Sequence, residues 1–215
     1  MRSRPGKVSV RSSPEELLGS GILLPDGAAD ALDLTATFGN RRPVEVEVGP
    51  GKGNFLLRRA RQRPELNLLG VEWVRPYALY AADRARRAGL DNVRILCTDA
   101  RALFRAALGS ASLWRIHVYF PDPWPKRRHH RRRLITPDFL RRAAETLHVG
   151  GWIGIATDHA DYFRQIRLSF RLTPLLAEVP FLDPLNDPRD PLASSFRRKY
   201  ADGKVFHTIA GIRYR

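Results

Sequence analysis

From Pro43 onward, short runs alternating apolar and polar residues take turns with longer runs of helical period. Val44-Glu45-Val46-Glu47-Val48 alternates as a strand does, and residues 54–63 put Phe55, Leu56 and Leu57 on the apolar side of a helix. The pattern repeats with a strand over 66–72, an Ala/Arg-rich helix over 75–88 ended by Gly89, a strand over 93–98, a helix over 99–108 and a strand over 115–120. Thr136-Pro137 offers an N-cap and a first-turn proline for a helix reaching Leu147, with Gly150-Gly151 as its stop. A strand over 152–157 follows, and Asp158 is placed to cap a helix running to about Ser169. Residues 206–214 predict a last, antiparallel strand. Pro174, Pro180, Pro184 and Pro188 make 174–190 a loop-rich excursion.

Strands alternating with helices at this spacing predict an α/β fold, a mostly parallel, doubly wound sheet with an antiparallel C-terminal strand. The expected organisation is a basic, flexible N-terminal arm over 1–37, carrying Arg2, Arg4, Lys7 and Arg11, and one domain over 38–215. Ligands of such sheets bind at the carboxyl ends of the strands. Those ends carry, in order, Glu47 with three glycines, Glu72, Asp99, Asp122 and Asp158, so every strand end has an acid.

Composition narrows the class. The chain has 215 residues and a formal net charge of +15, which favours polyanionic partners. Cys97 is the only cysteine, which excludes an intrachain disulfide and a C-x-x-C motif. Its place in Val93-Arg94-Ile95-Leu96-Cys97 predicts a buried packing residue rather than a nucleophile. The first residues lack the apolar stretch of a secretory signal, and no run approaches the length of a membrane span. The expectation is a cytoplasmic protein with no membrane partner, its oligomeric state left open.

The loop Glu47-Val48-Gly49-Pro50-Gly51-Lys52-Gly53 is E-x-G-x-G-x-G between a strand and a helix. Its glycines permit a tight turn and close approach by a ligand. A nicotinamide cofactor would take G-x-G-x-x-G, and the acid ahead of the loop would repel a pyrophosphate. That acid suits a cationic ligand such as the sulfonium and ammonium of S-adenosylmethionine. Glu72 is placed to accept from ribose hydroxyls and Asp99 from an adenine amino group. An ordinary strand-helix turn with two helix-capping acids is the plainer alternative.

The run Phe120-Pro121-Asp122-Pro123-Trp124 places one carboxylate between two prolines and leads into 126–133, where six of eight residues are Lys or Arg and two are His. A rigid acid beside a cationic tract suggests nucleic acid held while one atom of it is worked on. His129 and His130, with no nearby Cys or convergent acid pair, make a poor zinc site, so no metal is expected.

Phe120, Pro121, Asp122, Pro123, Trp124, Lys126, Arg128, His129, Arg132, Arg133 and Leu134 match F-P-D-P-W-x-K-x-R-H-x-x-R-R-L. With Glu47, Gly49, Gly51 and Gly53, with Gly70-Val71-Glu72, Asp99-Ala100 and Ala156-Thr157-Asp158, the chain resembles the bacterial tRNA (guanine-N7-)-methyltransferases over roughly 38–161. The resemblance implies a Rossmann-like methyltransferase fold and methyl transfer from S-adenosylmethionine to N7 of a guanine in the tRNA variable loop. It implies that Glu47, Glu72, Asp99 and Asp122 line the donor site, that Asp122 is catalytic, and that Lys126 and Asp158 contact the RNA. Arg128, His129, Arg132 and Arg133 join them as candidate docking residues. The family's T-K-F-E stretch is replaced by Ser194-Ser195-Phe196-Arg197, in which Ser194 and Phe196 keep a hydroxyl and an aromatic while Arg197 reverses the charge and offers a phosphate contact. A methyltransferase of other RNA, DNA or protein, and a non-catalytic RNA-binding relative, are the other readings.

Overall fold

A computed structural model describes residues 8–25, 32–181 and 205–215. Seven strands form one sheet: β1 (Val44–Val48), β2 (Asn67–Glu72), β3 (Val93–Cys97), β4 (Leu113–Tyr119), β5 (Leu147–Thr157), β6 (Leu176–Val179) and β7 (His207–Arg213). Their order is β3-β2-β1-β4-β5-β7-β6. The first five are parallel, β7 pairs antiparallel with β5, and β6 pairs antiparallel with β7. The doubly wound sheet is therefore as expected. Its strand order reverses between β1 and β4, the point where such sheets open a crevice at their carboxyl ends.

Helices cover both faces. The odd positions of β1 face one layer and the even positions the other, so Val44, Val46 and Val48 enter the larger core. There they meet Phe38 of α2 (Leu34–Phe38), Phe139 and Leu140 of α6 (Pro137–Thr146), and Tyr162 and Ile166 of α7 (Ala160–Arg171). On the other face α3 (Asn54–Gln62) and α4 (Arg75–Arg87) pack Leu56, Leu57, Ala78 and Ala82 against Leu68 and Ile95.

Several expectations are corrected. The arm is folded over its described part. Ser13 and Glu16 close a capping box on α1 (Pro14–Gly19), Leu17 is fully buried, and the Leu24 amide donates to the Ile95 carbonyl at 2.8 Å, so this segment pairs along the β3 edge. Arg2, Arg4 and Lys7 lie outside the described residues. The helix expected over 99–108 is a single turn, α5 (Ala100–Ala102), continued as a π-helical turn over Leu103–Ala107. α6 ends at Thr146, one residue from the expected Leu147, but Gly150 and Gly151 lie within β5 and do not stop the helix. β5 begins at once, and Gly150, at φ 82°, helps bulge residues 148–151 out between the Leu113–Leu147 and Arg115–Trp152 pairs. Arg213 of β7 donates to the carbonyls of Glu145 and Leu147, completing the helix end. His159, not Asp158, caps α7, its ring accepting from the Tyr162 amide at 3.2 Å. A strand, β6, sits where a loop was expected, and Cys97 is half-buried rather than buried. No helix among the described residues is long and apolar enough to cross a membrane.

Gly70, in the middle of β2, is where the α3 layer approaches most closely. A Cβ there would come within 2.8 Å of both Ile95 Cδ1 and Leu56 Cδ2. Gly70→Ala is expected to cost about 1–3 kcal/mol through overpacking, read as a lowered urea midpoint with an unchanged m-value.

Candidate active site

β1 delivers Glu47 and then the glycine loop to the crevice. Gly49, Gly51 and Gly53 all have positive φ, at 75°, 55° and 74°. A Cβ at Gly49 or Gly51 would meet nothing within 4 Å, so the loop is open above them. A Cβ at Gly53 would meet Ala81 Cβ at 3.2 Å and Leu57 Cγ at 3.3 Å, so this third glycine serves the packing of α3 on α4. Arg84 of α4 ties the loop down by donating to the Lys52 carbonyl and, at 2.7 Å, to Asn54 Oδ1.

Glu72 is buried at the end of β2. Its two oxygens accept from the Gly51 amide at 2.9 Å and the Val74 amide at 2.8 Å, stitching the glycine loop to β2. Burial raises its pKa, the amides of Val74, Gly51 and Trp73 pull the other way, and the nearby charge of Asp122 adds to the rise. Asp99 caps α5, with Oδ1 accepting from the Arg101 amide at 2.8 Å. Beside them Trp73 is 54% exposed, an aromatic at the crevice rim that sequence reading did not single out.

β4 delivers the opposite wall. Asp122 is exposed, and no donor among the described residues bonds its carboxylate. Phe120 and Trp124, on either side, have φ of 51° and 44°, a region that bulky residues seldom enter. Each also precedes a proline, which alone would favour an extended backbone. The chain is thus bent twice within five residues around one carboxylate.

The cationic run does not act as one patch. Residues Arg127–Arg132 form a 3-10 helix. Lys126, Arg127, Arg128 and Arg131 are exposed, and no ion pair among the described residues engages them. Arg132 lies 5.0 Å over the Trp124 ring and His129 meets the same ring edge-on at 5.8 Å, so both turn toward the loop. Partial burial and the charges of Arg132 and Arg128 hold His129 below the usual imidazole pKa. Arg133, expected at the docking surface, is buried, with its guanidinium directed at α7. Arg127 and Arg131, which the motif match passed over, are the outward cations instead. Asp158 is exposed just past β5, while Ser194, Phe196 and Arg197 lie outside the described residues.

A second cluster behind the crevice escaped sequence reading. Glu45, two residues before Glu47 and on the same face of β1, accepts from Arg59 Nε at 2.9 Å and Nη2 at 2.8 Å. The His117 ring sits 3.1 Å from Glu45 and 2.8 Å from the Tyr119 hydroxyl, all buried. Burial alone would raise the Glu45 carboxyl. The hydrogen bonds of Arg59 and His117 outweigh it and hold the group far below the usual range. The alternation Glu45, Glu47 against His117, Tyr119 on registered strands was the available signal. A cavity of about 130 Å³ reaches Cys97 at the carboxyl end of β3 and Arg75 just past β2, while one of about 430 Å³, at Arg42 and Trp114, lies at the opposite edge of the sheet.

Comparison with known proteins adds lineage to this geometry. The family model Methyltransf_4, described as "Putative methyltransferase", matches residues 41–199. A protein of Halorhodospira halophila named tRNA (guanine-N(7)-)-methyltransferase is 45% identical over 142 residues, 66% of this chain and 61% of its own length. The chain spans 57–61% of the length of this and two similarly named curated relatives. The crystal structure of a 30S ribosomal A1408 methyltransferase from an uncultured bacterium superposes with a TM-score of 0.59 at 11% identity, over 84% of this chain and 92% of that one. The [4+2]-cyclase SpnF superposes with a TM-score of 0.56 at 16% identity, covering 84% and 80%. The fold is thus shared by proteins of different chemistry, and likeness of fold alone does not select among them.

The buried cluster makes a checkable claim. Glu45→Gln is expected to cost on the order of 3 kcal/mol at pH 7, because a buried pair loses one charge. The Glu45 carboxyl is depressed in the folded state, so the wild-type advantage is full above its ordinary value of 4.5 and shrinks as pH falls below it. Urea denaturation of both proteins across pH 3–8 reads this directly.

Proposed function

Because the chain belongs to the methyltransferase family whose model spans residues 41–199, we propose that it transfers a methyl group from S-adenosylmethionine to N7 of a guanine in tRNA, within the variable loop. The observation that carries this reading is the crevice between β1 and β4, with a glycine loop open above Gly49 and Gly51 on one wall and the exposed Asp122 carboxylate on the other. Relatives at 41% and 45% identity that are named tRNA (guanine-N(7)-)-methyltransferases support the substrate.

The residues suit the donor. S-adenosylmethionine, when bound, supplies an electrophilic methyl group on a positively charged sulfur. Gly49 and Gly51 leave room for its close approach, and Glu47 makes the wall negative, as a sulfonium and an ammonium require. Glu72 accepts amide bonds at both oxygens, and its remaining acceptor capacity is assigned to the ribose hydroxyls. The second Asp99 oxygen is the acceptor assigned to the adenine amino group.

Guanine N7 carries an in-plane lone pair and no proton, so no general base precedes attack. The N7–methyl bond forms as the sulfur–methyl bond breaks, and that electron pair returns to sulfur. Approach to ~3–3.5 Å in line with the departing sulfur is the main demand. Positive charge passes to the purine, where the Asp122 carboxylate stabilises it and accepts from the guanine N1–H or amino group. Lys126, Arg127, Arg128 and Arg131 contact phosphates, which position RNA without reading its sequence. Asp158 meets the substrate from the end of β5.

Incubation with labelled donor and tRNA, duplex DNA or protein, followed by mapping of N7-methylguanosine, tests the reading. Label at guanine N7 of tRNA is expected, and label confined to DNA or protein overturns it. Asp122→Ala should retain donor binding by calorimetry while losing on the order of 100-fold in turnover. Replacing Arg127, Arg128 and Arg131 together by Ser should weaken tRNA binding and flatten the slope of log K against log salt by about 1 per lost phosphate contact. Donor affinity should not change.

A further inference from the structure

Arg133 ends the cationic run, yet its side chain is among the largest in the protein to be fully buried. Nε donates to the Pro123 carbonyl at 2.8 Å. Nη1 donates to Gln165 Oε1 at 2.8 Å and Nη2 to Asp161 Oδ2 at 2.7 Å. The guanidinium lies 4.9 Å over the Tyr162 ring. Three of these partners belong to α7, and the fourth is the carbonyl immediately after Asp122. The same stretch of α7 holds the chain beyond Arg133, where the Ile135 amide donates to the Tyr162 hydroxyl at 2.9 Å and Gln165 Nε2 to the Ile135 carbonyl at 3.0 Å.

The Asp122 carboxylate has no donor of its own among the described residues, so its direction is set by the backbone that carries it. That backbone is bent at Phe120 and Trp124 into a region bulky residues disfavour, and such conformations persist only where surrounding contacts over-determine them. On the strand side the Phe120 amide donates to the Ala156 carbonyl at 2.8 Å. On the far side, the bond from Arg133 to Pro123 ties the loop to a helix.

We infer that Arg133 is a positioning residue, a buried clasp that holds the Asp122 loop in its bent form against α7, and not a phosphate contact. The inference rests on the proposed role of Asp122 in methyl transfer. An arginine is required because its planar fork reaches the loop carbonyl, Gln165 and Asp161 at once, whereas the single ammonium of a lysine cannot span three such acceptors. A loop released by a fraction of an ångström or more leaves the carboxylate misplaced relative to the purine, and errors of about 1 Å cost on the order of 100-fold in rate.

Arg133→Lys keeps the charge and most of the volume. It is expected to lower kcat at least about 10-fold, by the same misplacement argument. The tRNA and donor dissociation constants should stay within about twofold, and amide hydrogen exchange should quicken at Phe120 and across residues 126–135, which hold the hydrogen-bonded amides of His129, Arg133 and Ile135, ahead of the rest of the chain. Gln165→Met, which removes one acceptor of Arg133 together with the bond to the Ile135 carbonyl and changes no charge, should move kcat and loop exchange the same way by less, and it serves where Arg133→Lys does not fold. Weakened tRNA binding with kcat intact overturns the inference, because that is the behaviour of a docking cation. Unchanged kcat and loop exchange in both variants also overturn it, as does exchange raised evenly across the fold. A wild-type protein that methylates no tRNA counts against the proposed function alone, and the exchange measurement still decides the clasp.

Discussion

Carboxylates of like charge repel, and left to an unstructured chain they would spread into water. Here Glu47, Glu72, Asp99 and Asp122 come to one edge of the sheet, and the repulsion registers in Glu72, whose carboxyl is raised by burial and again by Asp122. Five parallel strands in fixed register bring them there, with the reversal of order at β1 and β4 holding the crevice open. Fixed dipoles temper the charge of Glu72 and Asp99. Glu72 is held by the amides of Gly51 and Val74 and Asp99 by that of Arg101. No salt bridge among the described residues reaches Glu72, Asp99 or Asp122. Glu45, two residues from Glu47 on the same face, is the contrast. Arg59 and His117 both engage it directly. Amides stabilise a carboxylate without neutralising it, so the crevice keeps a net negative wall inside a protein of net charge +15. That inversion suits a cationic donor within and a polyanion outside.

The sheet was legible because period two and period 3.6 alternate cleanly from Val44 to Thr157, and because Gly89 and Thr136-Pro137 mark helix ends by known backbone preferences. What failed was local punctuation read without its partners. Gly150-Gly151 reads as a helix stop, but the pair lies within β5, and the helix end is held by Arg213, far along the chain, which donates to the Glu145 and Leu147 carbonyls. β6 is four residues between prolines, too short to show a period, and exists because β7 offers it an edge. The described part of the arm reads as loose because its burial depends on Leu17 meeting α4 and Leu23 meeting β3, neither of which local composition reveals.

The acids of the candidate site were legible by position, since each lies at or just past the end of a strand. The bends at Phe120 and Trp124 were not, because pre-proline residues are expected to be extended. The division of the cationic run was hidden for a related reason. Residues 126–133 are nearly uniform in charge, and no local rule says which side chain turns inward. The deciding groups, Asp161, Tyr162 and Gln165, lie about thirty positions later on α7.

That division has a consequence for how the site is prepared. The charge of Arg133 is answered within the protein by Asp161, whose carboxyl the guanidinium holds below its usual range. Arg127, Arg128 and Arg131 have no such acid among the described residues. The inward cation therefore needs no polyanion to be stable, while the outward ones gain most when phosphates arrive. If the loop depended on RNA to hold Pro123, part of the binding energy would go into bending Phe120 and Trp124 at each encounter. With the bend secured by a buried, internally neutralised arginine, the ordering cost is met on folding. On the proposed reading, RNA arriving at the exposed cations meets an Asp122 already in place.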